Sequence, residues 1–182
     1  MSASYDIRKI KAGNENEFRK LVDENMDCIY LTALRITADE DDARDIVQET
    51  FMKVWEKRKS IKSDNNIIPY IRRIAVNKCY DLMRKRKSRY GANRTVDTSL
   101  LTEIAGDSRA DYKLNNDEVV SILNALASGL SPRQRIVFTM IELEELSHGE
   151  VAEITGMSKT SIKSNLSHAR KKIEGLLKKY LN

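Results

Sequence analysis

The stretch from Leu146 to Leu166, LSHGEVAEITGMSKTSIKSNL, admits few folds. Gly156 stands between two helical patterns, where a helix end calls for a left-handed residue that glycine adopts without steric cost. Ser158 follows as an N-cap for the second helix. Ala152 is small enough to let two helices cross closely, and Ile162 faces back onto the first of them. Val151, Ile154 and Met157 complete the inward set. This is helix-turn-helix spacing, in which the second helix lies in a DNA major groove. An ordinary helical hairpin is the alternative, and the basic second helix favours DNA.

Laid out at about 100° per residue, the second helix puts Ile162, Leu166, Ala169, Ile173, Leu176, Leu177 and Tyr180 on one face. Thr160, Ser164, Ser167 and Lys171 fall on the other, flanked by Lys163 and His168. Short polar groups near the start of such a helix reach base edges, and Lys or Arg further along reaches phosphates. From Lys159 to Lys179 there are seven basic residues against Glu174 alone.

Composition enters as a set of exclusions. Only 7 Gly and 2 Pro in 182 residues argue against an all-β chain, and with no strand alternation in either half the expected fold class is all-α. The net charge of +5 favours a polyanionic partner, and its segregation along the chain says more than its total. Cys28 and Cys79 each sit in an apolar helical pattern and read as buried free thiols of a cytoplasmic protein. Two Cys and two His offer no metal-site spacing, and no cofactor is expected. No signal peptide and no apolar run of membrane-spanning length is visible.

The order of elements divides the chain. Short helices are expected over 6–11, 15–24 and 26–36, packed as a plain bundle. A longer one follows over 39–59, acidic in its first turns and basic in its last, as the helix dipole favours. Ala43, Ile46, Val47, Thr50, Phe51 and Val54 form its inward face. Asp45, Gln48, Glu49, Met52 and Glu56 form the opposite one. A solvated face and a docking surface for a basic partner, with Met52 as an apolar anchor ringed by carboxylates, fit this stripe equally. After a polar loop over 60–66, a helix over 67–87 tolerates Pro69 in its first turn. Its residues Arg73, Asn77, Tyr80 and Arg84 recur at i, i+4, i+7 and i+11 and make one outward stripe. Nine Lys or Arg between Arg72 and Arg94 oppose Asp81 alone, which suits single-stranded or duplex DNA better than a solvated helix end.

Periodicity lapses from Ser88 to about Asn115, where six acidic residues between Asp97 and Glu118 oppose Arg109 and Lys113. This reads as a flexible acidic linker. The expected organisation is a helical domain over 1–90, a linker over 91–115 and a helix-turn-helix domain over 116–182. The last begins with a helix over 117–127 and a second, capped by Ser131-Pro132, running to about Leu143.

Three stretches in order, DARDIVQETFMKVWE (42–56), IPYIRRIAVNKCYDLMRKRK (68–87) and LSPRQRIVFTMIELEELSHGEVAEITGMSKTSIKSNLSHARKKI (130–173), resemble the bacterial RNA polymerase sigma factors of the small two-domain, extracytoplasmic-function group. The resemblance implies promoter-specific transcription initiation with core RNA polymerase. It implies that the acidic helix, through Asp45, Gln48, Glu49 and Met52, binds the clamp helices of the largest polymerase subunit. It places minus-ten recognition and melting on Arg73, Asn77, Tyr80 and Arg84 with the loop from Lys59 to Asn66. It places minus-thirty-five recognition on Thr160, Lys163, Ser164, Ser167 and Lys171. It further implies an anti-sigma partner and a monomer when free. Many relatives carry Arg where this chain has Asn165 and His168, which leaves open which bases are read, and His148 stands where an aromatic is frequent. A stand-alone helix-turn-helix regulator is the rival reading. A nuclease lacks a convergent catalytic set in this sequence.

Overall fold

The computed structural model describes residues 5–61, 66–90 and 129–181. The expected linker, the helix over 117–127 and residues 62–65 of the polar loop lie outside the described residues. Among the described residues there are helices and no strands. Helix α1 spans Ile7–Lys11, α2 Glu15–Thr37, α3 Glu40–Glu56 and α4 Ile68–Tyr90. A 3-10 turn, Arg58–Ser60, follows α3. In the second half α5 spans Pro132–Phe138 and widens into a π-helical turn, Thr139–Leu143. Helices α6 (His148–Thr155) and α7 (Lys159–Leu181) complete the fold.

Each start is capped as the side chains dictate. Asp6, Asn14 and Asp39 accept from backbone N–H groups one turn into α1, α2 and α3. Ser131 with Gln134, and Ser147 with Glu150, form reciprocal capping boxes at α5 and α6. Gly156 ends α6 at φ 71°, and the Ser158 hydroxyl accepts from Ser161 N–H at 3.2 Å to start α7.

Two expectations are corrected. The helices expected over 15–24 and 26–36 are one helix, α2. Asn25, the expected break, instead donates from Nδ2 to the Leu21 carbonyl at 2.7 Å, inside the helix. Leu21 before Asn25, and Ile29, Ala33 and Ile36 after it, are buried on the same helix, which outweighs the weak helix propensity of asparagine. The thiols also differ. Cys79 is buried, and burial pushes it up to about 12. Cys28 is exposed, because Ile29 takes the core-facing position and turns its neighbour outward.

The core runs through both halves. Ile71, Ala75 and Cys79 of α4, fully buried, belong to one cluster with Val137 of α5, Met140 of the π-helical turn, Val151 of α6 and Ile162 of α7. Helix α4 packs on α2 and α3 of its own half and on α5 and α6 of the other. Full burial of each isoleucine stabilises by roughly 1.5–3 kcal/mol.

The capping box at α6 generates a prediction. The Ser147 hydroxyl, then its backbone N–H, hold the Glu150 carboxyl below the usual carboxylate range. A depressed folded value means that this stability is present above the unfolded pKa and lost as pH falls through the folded one. Ser147→Ala should lower stability by about 1 kcal/mol at neutral pH. Urea unfolding at neutral pH and at pH 3 should show the deficit shrinking in acid.

Candidate nucleic-acid interface

Helix α3 turns Ala43, Ile46, Thr50, Phe51 and Val54 inward, and that burial fixes what faces out. Asp45, Gln48, Glu49 and Met52 are all exposed, Met52 by 55%. A methionine that bare sits among carboxylates on a helix whose opposite face is buried. Glu49 is not idle: Lys78 of α4 donates to its Oε2. The acidic face is therefore partly neutralised from within its own half. Behind it, Arg58 stacks over Trp55 at 4.2 Å and donates to the Trp55 carbonyl, which holds the end of α3 rigid.

The stripe on α4 is less uniform than helical spacing implies. Arg73, Asn77 and Arg84 are exposed, whereas Tyr80 is half-buried and packs against the core. The guanidinium of Arg133 from α5 stands 5.9 Å from the Tyr80 ring centre, and Arg73 donates to the carbonyl of Glu153 on α6. Both neighbours come from the other half of the chain. Within the basic run that ends α4, Arg86 is structural. It pairs with Asp42 at 2.5 Å and Asp39 at 3.6 Å, across the start of α3. Burial raises the Asp42 carboxyl above its ordinary range against the pull of Arg86.

Helix α7 is anchored by Ile162, Leu166, Ala169 and Ile173, all buried. Thr160, Lys163, Ser164, Ser167 and Lys171 are all exposed on it, so one helix presents five polar or basic groups to the outside. Asn165 folds back onto the Ser161 carbonyl at 2.8 Å, and a ring nitrogen of His168 lies 2.7 Å from the Ser164 carbonyl. Neither extends away from the helix as an arginine would. Arg170 is turned to the side and donates twice to Glu142, at 3.0 and 2.6 Å.

Several residues that shape this surface escape a reading by periodicity. Arg133 and Arg135 sit at the start of α5, where a basic pair looks like solvated charge. Glu144 lies in the acidic run after the π-helical turn and carries no motif. Their roles depend on what α4 brings to them. Among the described residues no cluster of His, Cys, Asp and Glu suits a metal ion, and no helix is long and apolar enough to cross a membrane.

Family models for sigma-70 region 2 and sigma-70 region 4 match residues 21–89 and 121–173. The RNA polymerase sigma factor NccH of Alcaligenes xylosoxydans xylosoxydans is 30% identical over 174 residues, covering 93% of this chain and 91% of that protein. The ECF RNA polymerase sigma factor SigW of Bacillus subtilis is 26% identical over 177 residues, covering 94% and 95%. In three dimensions, CnrH solved with the cytosolic domain of CnrY superposes with a TM-score of 0.69 at 20% identity, over 94% of each chain. The sigma factor RpoE of Bartonella quintana, solved with the anti-sigma factor NepR, gives 0.64 at 25% identity, over 89% of this chain and 97% of that one.

Proposed function

Because the chain belongs to the sigma-70 family of RNA polymerase sigma factors, in its extracytoplasmic-function group, we propose that it divides promoter-specific transcription initiation among three separate faces. The observation that carries this reading is that the candidate residues of α3 and of α7 are exposed side by side on helices whose opposite faces are buried. Asp45, Gln48, Glu49 and Met52 dock on core polymerase, with Met52 as the apolar anchor and the carboxylates facing a basic surface. Arg73, Asn77, Tyr80 and Arg84 take the minus-ten element. An aromatic ring beside an amide suits unpaired bases, where stacking contributes about 1–3 kcal/mol per base. Thr160, Lys163, Ser164, Ser167 and Lys171 read the minus-thirty-five element as intact duplex.

The working organisation is a polymerase- and minus-ten-binding domain over 1–90, a linker over 91–115 and a minus-thirty-five-binding domain over 116–182. The chain does no chemistry of its own, works in the cytoplasm where polymerase is, and is a monomer when free. The pairing of RpoE with the anti-sigma factor NepR supports an anti-sigma partner here as well. A regulator acting without polymerase would have no use for the anchored acidic face of α3.

Two experiments test these assignments. Asp45→Arg with Glu49→Arg should abolish association with core polymerase in a pull-down while circular dichroism stays helical. Full retention of binding would remove α3 from the interface. Separately, Tyr80→Ala or Asn77→Ala should block promoter opening, scored by permanganate-reactive thymines, and leave closed-complex formation largely intact. Lys163→Ala or Ser164→Ala should weaken the closed complex, by roughly 1–3 kcal/mol for a base contact. A premelted template should rescue the first pair and not the second. Identical defects of both pairs on both templates would refute the division.

A further inference from the structure

Two ion pairs tie α4 to α3, and they differ in kind. Arg86 meets Asp42, whose side chain is only 15% exposed, near the start of α3. Two turns further along α3, and two turns back along α4, the Lys78 ammonium donates to Glu49 Oε2. The two helices therefore run antiparallel, with one pair enclosed between them. The other lies open: the Glu49 carboxylate is 62% exposed and its lysine 28%. Glu49 belongs to the stripe that carries Asp45, Gln48 and Met52.

Lys78 has little freedom to stand aside. Val76 and Cys79 next to it are buried, and Ile71 and Ala75 bury the turns before it. That row fixes where the backbone of residue 78 stands, and α4 packs on α3 there. The other carboxylates of the stripe are held differently. Glu56 pairs with Lys53 at 3.2 Å, one turn away on the same helix, and both side chains are exposed. Such a pair exchanges for another partner at little cost. Asp45 has no ion pair among the described residues. Only Glu49 is met on this stripe by a cation from a different helix.

A pair as open as Lys78–Glu49 adds little to stability, because water solvates both ions well when they part. What it changes is the attraction of Glu49 for a second cation. An ammonium on the carboxylate offsets its charge, and it also repels whatever cation approaches.

We propose that Lys78 is a built-in competitor for Glu49, occupying the carboxylate that a cation of the polymerase surface takes on docking. It holds the affinity for core polymerase below what the bare acidic stripe would give. Docking passes Glu49 from Lys78 to the incoming Lys or Arg, and the freed ammonium returns to water. This rests on the assignment of α3 to polymerase docking.

The test titrates the labelled full chain with core polymerase. Lys78→Gln removes the charge and keeps much of the stem. Near 0.1 M salt it should bind about two- to fivefold more tightly than the wild type, the range that one exposed ion pair spans. The gain should come from a faster on-rate and shrink at roughly 0.5 M salt, where screening is stronger. Lys78→Arg should bind as the wild type does. Glu49→Gln should cost more affinity in the Lys78→Gln background than alone, because only there is the carboxylate unoccupied beforehand. A merely structural role for Lys78 would give the opposite sign, with weaker binding and a lower melting temperature. The competitor role is overturned if Lys78→Gln binds no more tightly than the wild type, or if Glu49→Gln costs the same in both backgrounds. If Lys78→Gln loses its helical signal, Lys78→Met, which keeps the apolar stem, decides in the same titration. A wrong docking assignment would appear instead as full binding by Asp45→Arg with Glu49→Arg. Loss of binding there, with no gain in Lys78→Gln, would remove the competitor alone.

Discussion

Helix α4 is buried from two directions, and the arrangement of everything else follows from that. Its residues Ile71, Ala75 and Cys79, all fully buried, lie in a cluster shared by both halves of the chain. A helix with one apolar stripe serves one core. Helix α4 belongs to one core that both halves share, and charged partners from elsewhere meet its ends and flanks. Arg86 meets Asp39 and Asp42 at the start of α3, and Arg72 meets Glu144 beyond α5. Without the cations the apolar contacts would still form, but the carboxylates brought along with them would be left desolvated.

Charge segregation in this chain therefore has two uses at once. The acidic first turns of α3 complement its dipole and also receive Arg86. The basic run of α4 yields Arg86 to structure and keeps Arg84 exposed. Lys78 reaches Glu49 on the acidic stripe, so the charge of that stripe is already partly balanced. Exposed pairs of this kind contribute little to stability, with a median near 0–1 kcal/mol. Their larger effect is on how strongly each face attracts an oppositely charged surface.

The same economy appears in α7. Its buried residues form a continuous row, so the outward groups are held in register on one rigid scaffold. Asn165 and His168 turn back onto carbonyls of their own helix. The exposed face is consequently made of short hydroxyls and two lysines, with fewer long cationic arms than an arginine-rich helix would present.

What the sequence by itself determined is local and periodic. The glycine turn at 156, the caps at Ser131 and Ser158, and the buried rows of α3 and α7 follow from side-chain chemistry acting within a turn or two. The exposure of Asp45, Gln48, Glu49 and Met52, and of Thr160, Lys163, Ser164, Ser167 and Lys171, follows from those rows. The tertiary structure decided the rest. Asn25 reads as a break because asparagine favours turns, yet the core beneath α2 keeps the helix whole. Cys28 reads as buried because its neighbours are apolar, yet it faces outward beside Arg72. Tyr80 reads as free, yet α5 brings Arg133 over it. Glu144 looks like one more surface charge in an acidic run. Its burial depends on Thr32, 112 residues away, and Arg72, 72 residues away. Periodicity reports which side of a helix is apolar; it carries no information about which distant charge will be waiting there.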